Sequence, residues 1–286
     1  MRRANMTMNE FAEIVKDNIA EYLPENIGGV EITDVPKNNG IIFKGITLAD
    51  KTNPVPAVYL ERDYEAYVNY EAGIDKVLKD VARRLTSSPV SAVELDALKN
   101  YDPGKTICRL ISAKLNEGYV SDRPHRKAAE DLYLIYGIKL DVAGQNAAVW
   151  LENKHMEALG VNEETLYKDA MKNAEQASDI TSMAEMFPFI DASDAGMPPM
   201  YIVSNESRLN GAVSILLPSV HEKLREIIGE DYMIIPSSIH ECIAIPALDT
   251  NDVTSMIGMV NSEQLLPEEV LSDHPYVFDQ NGLIAA

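Results

Sequence analysis

The side chains best suited to chemistry are concentrated in residues 201–246, and most of them lie in predicted turns of that stretch. One turn supplies the hydroxyl, imidazole, carboxylate and thiol groups that hydrolases use, from Ser237, Ser238, His240, Glu241 and Cys242. If residues 239–245 form a strand, Ser238, His240 and Cys242 share one face, and Glu241 lies on the opposite, apolar face. This spacing does not form a triad, and the Gly-x-Ser-x-Gly turn of a nucleophile elbow is missing. The sequence therefore predicts no catalytic residue. A hydrolase of unknown substrate that uses His240 with Ser238 or Cys242 stays as an alternative.

The same residues also allow a structural interpretation. A carboxylate on an apolar face is costly unless it is paired, and Arg208 in the turn of residues 204–211 is the natural partner of Glu241. We predict an Arg208–Glu241 ion pair that holds this turn against the strand of residues 239–245. Polar side chains are expected to bond around the pair, and together with it they form the predicted binding site: Asn205, Arg208, Asn210, Ser238, His240 and Glu241.

Metal and cofactor sites are not indicated by the sequence. The histidines are scattered, and none belongs to an HxxxH or HExxH pattern: His125, His155, His221, His240 and His274. Gly28-Gly29 precedes a predicted strand rather than a helix, so it does not form a phosphate loop. Residues 191–194 are rich in aspartate but lack the acid spacing and glycine of a calcium loop. We therefore predict no metal and no cofactor.

The first part of the chain is predicted to fold as helix, three strands and helix. Thr7 with Glu10 three residues later forms a capping box, so the first helix begins there. Strands are predicted for residues 30–35, 41–48 and 55–60, and the turn signal Asn-Asn-Gly at residues 38–40 joins the first two into a hairpin.

The second half repeats a pattern of hairpin and helix. One hairpin is predicted for residues 132–140 and 147–151, and another for residues 200–203 and 212–217. Residues 178–199 are predicted to be a loop with a short helical piece. Strands at 232–235 and 239–245 and a helix at 250–261 follow. These patterns predict an α+β fold of mainly antiparallel sheets flanked by helices. The polar residues 116–127 suggest two domains, residues 1–125 and residues 126–286, the second containing the 201–246 stretch.

The charge and the cysteines limit the partners and the compartment. With 45 acidic and 25 basic side chains the net charge is −20, which repels phosphate backbones and makes direct nucleic-acid binding unexpected. Cys108 and Cys242 show no CxxC spacing, which favours a reducing compartment. No secretion signal and no stretch long enough to span a membrane is visible. We expect a cytoplasmic protein without a membrane partner.

Several motifs spread over nearly the whole chain resemble one family. They are NEFAEIVKDNIAEYLP, RPHRKAAEDLYLIYGI, NESRLNGA, DYMIIPSSIHE and PEEVLSDHPYVFD. Through these motifs the chain resembles a family of uncharacterised clostridial proteins, the domain of unknown function numbered 5688. Proteins of that family are often encoded on integrative mobile elements. The resemblance implies a bacterial cytoplasmic protein that serves a mobile element as an accessory or anti-defence factor. It transfers no catalytic residue.

These observations favour a non-enzymatic acidic protein that binds another protein. Two alternatives stay open: the hydrolase described above, and an acidic DNA mimic that inhibits a host defence nuclease. A mimic needs carboxylates in regular rows at phosphate-like spacing, whereas a hydrolase needs a concave pocket at His240.

Overall fold

The computed structural model describes residues 3–25, 27–49, 57–87, 97–142, 145–186, 198–279 and 282–286. Its contacts divide the chain into two units. The first consists of Met1–Lys37, Ile41–Lys99 and Leu140–Ala147, and the second of Asn38–Gly40, Asn100–Lys139 and Ala148–Ala286. The predicted start of the third strand at residue 55, residues 143–144 of the connection between the predicted strands 132–140 and 147–151, and the aspartate-rich residues 191–194 lie outside the described residues.

Helix α1 (Met8–Asn18) opens the first unit and begins as predicted. The backbone amide of Glu10 donates to Thr7 Oγ1 at 3.3 Å, and Glu10 Oε2 accepts a hydrogen bond from the Thr7 amide at 2.8 Å. This capping box satisfies amides that the first helical turn leaves unpaired. Phe11, Ala12 and Val15 are buried on the inner face of α1.

The predicted helix–βββ–helix unit is confirmed. Its strands form one antiparallel sheet in chain order, and two helices follow: β1 (Val30–Pro36), β2 (Ile42–Leu48), β3 (Val58–Tyr59), α2 (Glu61–Val68) and α3 (Ile74–Ser87). The core of the unit joins α1 to the sheet and to α3 through Phe11, Val15, Ile46, Leu60 and Val81.

A second sheet is built around one long strand in the second part of the chain. Its elements are β4 (Thr106–Ser112), β5 (His125–Lys127), β6 (Leu132–Val142) and β7 (Gln145–Trp150). β6 pairs antiparallel with β4 and β5 and also pairs with β7, so the hairpin predicted at 132–151 is confirmed. Two helices follow, α4 (Asn153–Leu159) and α5 (Glu163–Ala177). The predicted domain boundary at residue 125 falls between β4 and β6, which pair along the whole of β4.

A six-stranded sheet organises the remainder of the second unit. Its strands are β8 (Ser178–Ser182), β9 (Tyr201–Asn205), β10 (Tyr232–Pro236), β11 (Cys242–Pro246), β12 (Tyr276–Asp279) and β13 (Gly282–Ala285), in the order β13-β12-β10-β11-β9-β8. The accompanying helices are α6 (Met183–Met186), α7 (Pro218–Ile228) and α8 (Thr250–Glu263). The β10–β11 hairpin followed by α8 repeats the order of β6, β7 and α4, so the predicted α+β fold with repeated hairpin–helix units is confirmed.

One predicted strand of the central stretch is wrong, and another begins later than predicted. Residues Gly211–Leu216 form a buried 3₁₀ helix instead of a strand, because β9 already pairs with β11 on one side and β8 on the other. The strand predicted from residue 239 begins only at Cys242, because the Ser238 amide donates to the Glu241 carbonyl at 3.0 Å and closes a turn. The segment predicted as a loop with a short helical piece, residues 178–199, begins instead with the strand β8, which was not predicted, and the short helix α6 follows it.

Candidate functional site

We call the six predicted binding residues the central-turn cluster: Asn205, Arg208, Asn210, Ser238, His240 and Glu241. Asn205 ends β9 and folds the turn that follows. Its Nδ2 donates to the carbonyl of Leu209 at 2.8 Å, and its Oδ1 accepts from Ser207 Oγ at 2.9 Å. Asn205 therefore acts as a turn former whose amide is occupied by its own loop.

His240 ties this turn to the turn between β10 and β11. Its Nδ1 accepts a hydrogen bond from the Asn210 amide at 3.0 Å, and its own amide donates to Ser238 Oγ at 3.0 Å. Because Nδ1 is an acceptor, the ring proton of the neutral imidazole lies on Nε2, which is 3.4 Å from Glu269 Oε1. The imidazole is thus a bridge between loops with both nitrogens engaged.

The backbone at Gly211 is packed too closely for a side chain. A Cβ atom there would lie 2.6 Å from the Asn205 amide nitrogen and 2.8 Å from the His240 carbonyl oxygen, and it would overlap Ser204 Oγ. The same Ser204 hydroxyl donates to the His240 carbonyl at 2.8 Å. The Asn-Gly pair at 210–211 therefore lies in the interior of the cluster, where only glycine fits.

The predicted Arg208–Glu241 ion pair is wrong. Arg208 Nη2 donates instead to Asp179 Oδ2 at 2.8 Å and to Thr181 Oγ1 at 2.7 Å, both on β8. Glu241 is partly exposed, because it lies in a turn and not on the apolar face of a strand. The structure thus brings together Asn205, Asn210, Ser238 and His240. It joins Glu241 to them only through its backbone and directs Arg208 to β8.

The cluster contains no activated nucleophile among the described residues. Cys242 is fully buried, and this burial raises the pKa of its thiol well above the ordinary value. The Ser238 hydroxyl accepts from the His240 amide, and no hydrogen bond in the described part of the chain joins that hydroxyl or the Cys242 thiol to the imidazole. A Ser–His or Cys–His mechanism requires that bond.

A different cluster, centred on Asp131, was missed by the sequence interpretation. Asp131 Oδ2 accepts hydrogen bonds from Tyr276 Oη at 2.7 Å, from His274 Nε2 at 3.0 Å and from Ser272 Oγ at 3.3 Å. His274 Nδ1 faces the carbonyl of Pro275 at 3.0 Å. Both ring nitrogens thus face acceptors, and chiefly the bond to Asp131 raises the pKa of His274 above its usual value. Burial alone would raise the pKa of Asp131, but the bonds from His274 and Tyr276 lower it below its usual range.

His221 was also missed, and its surroundings are structural. Its Nδ1 accepts from Tyr232 Oη at 2.6 Å, its Nε2 donates to the carbonyl of Ile215 at 2.7 Å, and its ring stacks on Phe278 with centroids 3.5 Å apart. The side chain is fully buried, and this burial lowers its pKa to about 4. His221 is therefore a neutral imidazole that fixes the 3₁₀ helix behind the central-turn cluster.

The most exposed apolar residues of the C-terminal region lie on α8 and beside it. Val253 and Ile257 are buried against β10 and β11, while Met256 and Met259 on the outer side are 46% and 60% exposed. Leu248 before the helix and Leu266 after it are 49% and 56% exposed. We call Leu248, Met256, Met259 and Leu266 the α8 face.

The α8 face lies in a part of the sequence with one sign of charge. Residues 226–286 contain no lysine and no arginine. Their acidic side chains are Glu226, Glu230, Asp231, Glu241, Asp249, Asp252, Glu263, Glu268, Glu269, Asp273 and Asp279. Exposed apolar residues on a helix in an acidic part of the sequence suit a partner that is both apolar and basic.

Neither a metal site nor a membrane-spanning helix occurs within the described ranges. No group of three or more His, Cys, Asp or Glu side chains there could hold a metal ion. No helix in that part of the chain combines the length and the apolar character needed to cross a membrane.

The relationship of the chain to known proteins is defined by one family. No curated protein and no solved structure matches it. The model of the family of unknown function DUF5688 matches residues 8–280, which is nearly the whole chain. The chain therefore belongs to the DUF5688 family.

Proposed function

We propose that this chain is a non-enzymatic acidic protein that binds another protein through the α8 face. The observation that carries the proposal is the exposure of Met256 and Met259 on a helix whose other side is already buried in the core. Single exposed apolar residues are common on protein surfaces, but apolar residues grouped along one element mark interaction sites. Methionine suits such a surface because its flexible thioether adapts to different partners.

The charge around the α8 face defines the chemistry of the partner. Asp249, Asp252 and Glu263 lie at the two ends of α8 or within it, and residues 226–286 contain no lysine and no arginine. The partner we propose is a protein segment, such as an amphipathic helix, whose apolar side chains are flanked by lysine or arginine. Its apolar side chains would pack on the methionines, and the charges would speed association in a salt-dependent manner.

The central-turn cluster supports the non-enzymatic part of the proposal. The Ser238 hydroxyl and the His240 imidazole accept hydrogen bonds from backbone amides and not from each other, so neither is activated to attack a substrate. The role of an accessory protein of a mobile element, and the cytoplasmic location, belong to this proposal as well. They rest on the resemblance described above and on the two free, buried cysteines.

A DNA mimic would use the same acidic segment in a different way. Such a protein binds a nuclease through the arrangement of its carboxylates and has no need of exposed methionines. Dependence of binding on Met256 and Met259 therefore separates the two functions, whereas dependence on salt does not.

Site-specific photocrosslinking in the native host tests the proposal. A photoreactive phenylalanine analogue at position 259 should crosslink one defined protein, and the same analogue at position 227 should not. Ile227 is a matched control because it is 45% exposed on α7, in the same unit. The crosslinked protein should carry a segment with apolar and basic residues. If both positions give the same products, or if position 259 gives none, the α8 face is not the binding surface.

A further inference from the structure

Arg109 lies midway along β4, which is at one end of the strand order of the second sheet, on the face opposite the one that α5 covers. It stands across from Ile135 in the β4–β6 register, and Ile135 in turn stands across from His125 of β5. The same face carries a small apolar cluster of Ile111, Val120 and Ile135, with partly buried aromatic residues at its edge. An arginine in this position has apolar and aromatic neighbours.

The Arg109 guanidinium forms no ion pair with any carboxylate in the described ranges. It stacks on the ring of Trp150, with Cζ 4.2 Å from the ring centroid, and it is partly buried. Its Nε is shielded from solvent and forms no hydrogen bond. A guanidinium has five N–H donors and is costly to bury without acceptors. Burial lowers the pKa of Arg109, its interaction and hydrogen bond with the Tyr119 hydroxyl act in the opposite direction, and the nearby Arg123 contributes a smaller lowering.

Arg123 repeats this arrangement next to Arg109. Its guanidinium stacks on Tyr119, with Cζ 4.2 Å from the ring centroid, and its Nη1 donates to the carbonyl of Trp150 at 3.4 Å. Its Nη2 lies 3.6 Å from Glu152 Oε1, and its Nε, which is shielded from solvent and forms no hydrogen bond, lies 3.9 Å from Asp122 Oδ1. Arg123 is therefore close to two carboxylates, whereas Arg109 forms no ion pair in the described part of the chain and keeps an Nε donor without a hydrogen bond.

The aromatic support of Arg109 is fixed by the sheet. A Cβ atom at Gly137 would lie 2.9 Å from the Val149 carbonyl oxygen and 3.0 Å from Cε3 of the Trp150 ring, so the indole packs directly on the glycine. The lack of a side chain at Gly137 therefore holds Trp150 beside Arg109. Donors held in place before a ligand arrives lose little freedom on binding.

We propose that Arg109 and Arg123, supported by Trp150 and Tyr119, bind a phosphoryl group of a small molecule. The planar fork of arginine matches phosphoryl oxygens, and two guanidinium groups suit a dianion better than a single carboxylate. The net charge of −20 repels a nucleic-acid backbone, so the ligand is a small phosphate ester or free phosphate. This site is separate from the α8 face, and it goes beyond the binding of a protein partner.

The fluorescence of Trp150 reports on this site directly, because Trp150 is the only tryptophan in the chain. The full-length protein is titrated with inorganic phosphate, with adenosine monophosphate and with acetate at constant ionic strength. We expect saturable changes with the two phosphoryl compounds and none with acetate. Tenfold tighter binding of adenosine monophosphate would identify a phosphate ester as the ligand, and equal binding would identify free phosphate. No saturable change with either compound, or an equal response to acetate, would overturn the proposal.

Two variants test which arginine is responsible. Arg109→Lys keeps the charge but loses the fork, and it should weaken phosphate binding at least tenfold. Arg126→Lys is the matched control. Arg126 stacks on Tyr167 but is already paired with Glu163 and Glu164, so its replacement should change the affinity less than twofold. Equal affinity of Arg109→Lys and wild type, with both folded by circular dichroism, would contradict the proposal. If Arg109→Lys does not fold, the wild-type titrations still decide it.

Discussion

The central-turn cluster and the α8 face differ in whether their side chains already have partners within the protein. In the central-turn cluster, Asn205 and Ser238 form hydrogen bonds within their own turns, and His240 accepts one from the other turn. On the α8 face, Met256 and Met259 are exposed and have no place in the core. Buried polar groups in folded proteins are normally hydrogen-bonded, so a polar cluster alone does not indicate a ligand. Polar residues of the types that catalyse reactions can serve only to hold the fold together, whereas exposed apolar residues on a helix can form the binding surface.

The largest expected effect is on stability, at the glycine inside the central-turn cluster. Gly211→Ala forces a methyl group against Ser204, Asn205 and His240, and overpacking of this kind should lower the free energy of unfolding by about 3 kcal/mol. Urea unfolding followed by circular dichroism measures the change.

Gly258→Ala is the matched control on α8. Nothing outside the helix's own backbone lies within 4 Å of the position that a Cβ atom would take at Gly258. Because this glycine lies inside a helix, alanine should raise the free energy of unfolding by about 0.5–1 kcal/mol. If Gly211→Ala were as stable as wild type, the central turns would not be the rigid scaffold inferred from their contacts.

The next effect concerns Asp131, which accepts hydrogen bonds from three side chains near the C-terminus. Asp131→Asn removes the charge that faces His274 and should lower the free energy of unfolding by about 2 kcal/mol at pH 6. The His274 pKa is raised in the folded state, so its contribution is complete below the unfolded value of about 6.5. It is lost as the pH rises through the folded value. Unfolding experiments between pH 6 and pH 9 should therefore show stability that falls with pH.

His274→Gln should remove the fall in the free energy of unfolding between pH 6 and pH 9. A second pH dependence, of opposite sign, should remain. Burial lowers the pKa of His221 to about 4, so the unfolded state takes up a proton first as the pH falls from about 6.5. Its contribution is complete above pH 6.5 and is lost on acidification toward pH 4. A His274→Gln variant that still loses stability between pH 6 and pH 9 in the wild-type manner would show that another group causes the slope.

The smallest effect distinguishes the observed partner of Arg208 from the predicted one. Asp179→Asn should lower the free energy of unfolding by about 1 kcal/mol, because it weakens a partly exposed ion pair that also bonds Thr181. Glu241→Gln should change it by less than about 0.5 kcal/mol, as is usual for a partly exposed residue, since Glu241 forms no ion pair within the described ranges. Equal losses in the two variants by urea unfolding would restore the pairing of Arg208 with Glu241.

The sequence could predict the parts of the fold that depend on local signals. Thr7 with Glu10 defined the start of α1, and the Asn-Asn-Gly turn defined the β1–β2 hairpin, because these signals act within a few residues. The hairpin–helix order of β10, β11 and α8 followed from apolar periodicity for the same reason.

Contacts between distant parts of the chain could not be predicted in this way. Asp131 and His274 are far apart in the sequence, and no periodic pattern connects them. The strand predicted at 212–217 has the composition of a strand, but both edges of β9 are occupied, so tertiary structure overrides the local preference. The sequence does not identify Asp179 as the partner of Arg208, because β8 has no strong strand signal.

The most direct test of the account is the affinity of the purified, crosslinked partner for three forms of the protein. Titration calorimetry would compare wild type, the double variant Met256→Ser with Met259→Ser, and His240→Ala, all checked for folding. Loss of two exposed methionines should weaken binding at least tenfold, whereas His240→Ala should bind within about twofold of wild type if it stays folded. If the double variant binds as wild type does and His240→Ala does not, the binding surface is the central-turn cluster and the α8 face is not.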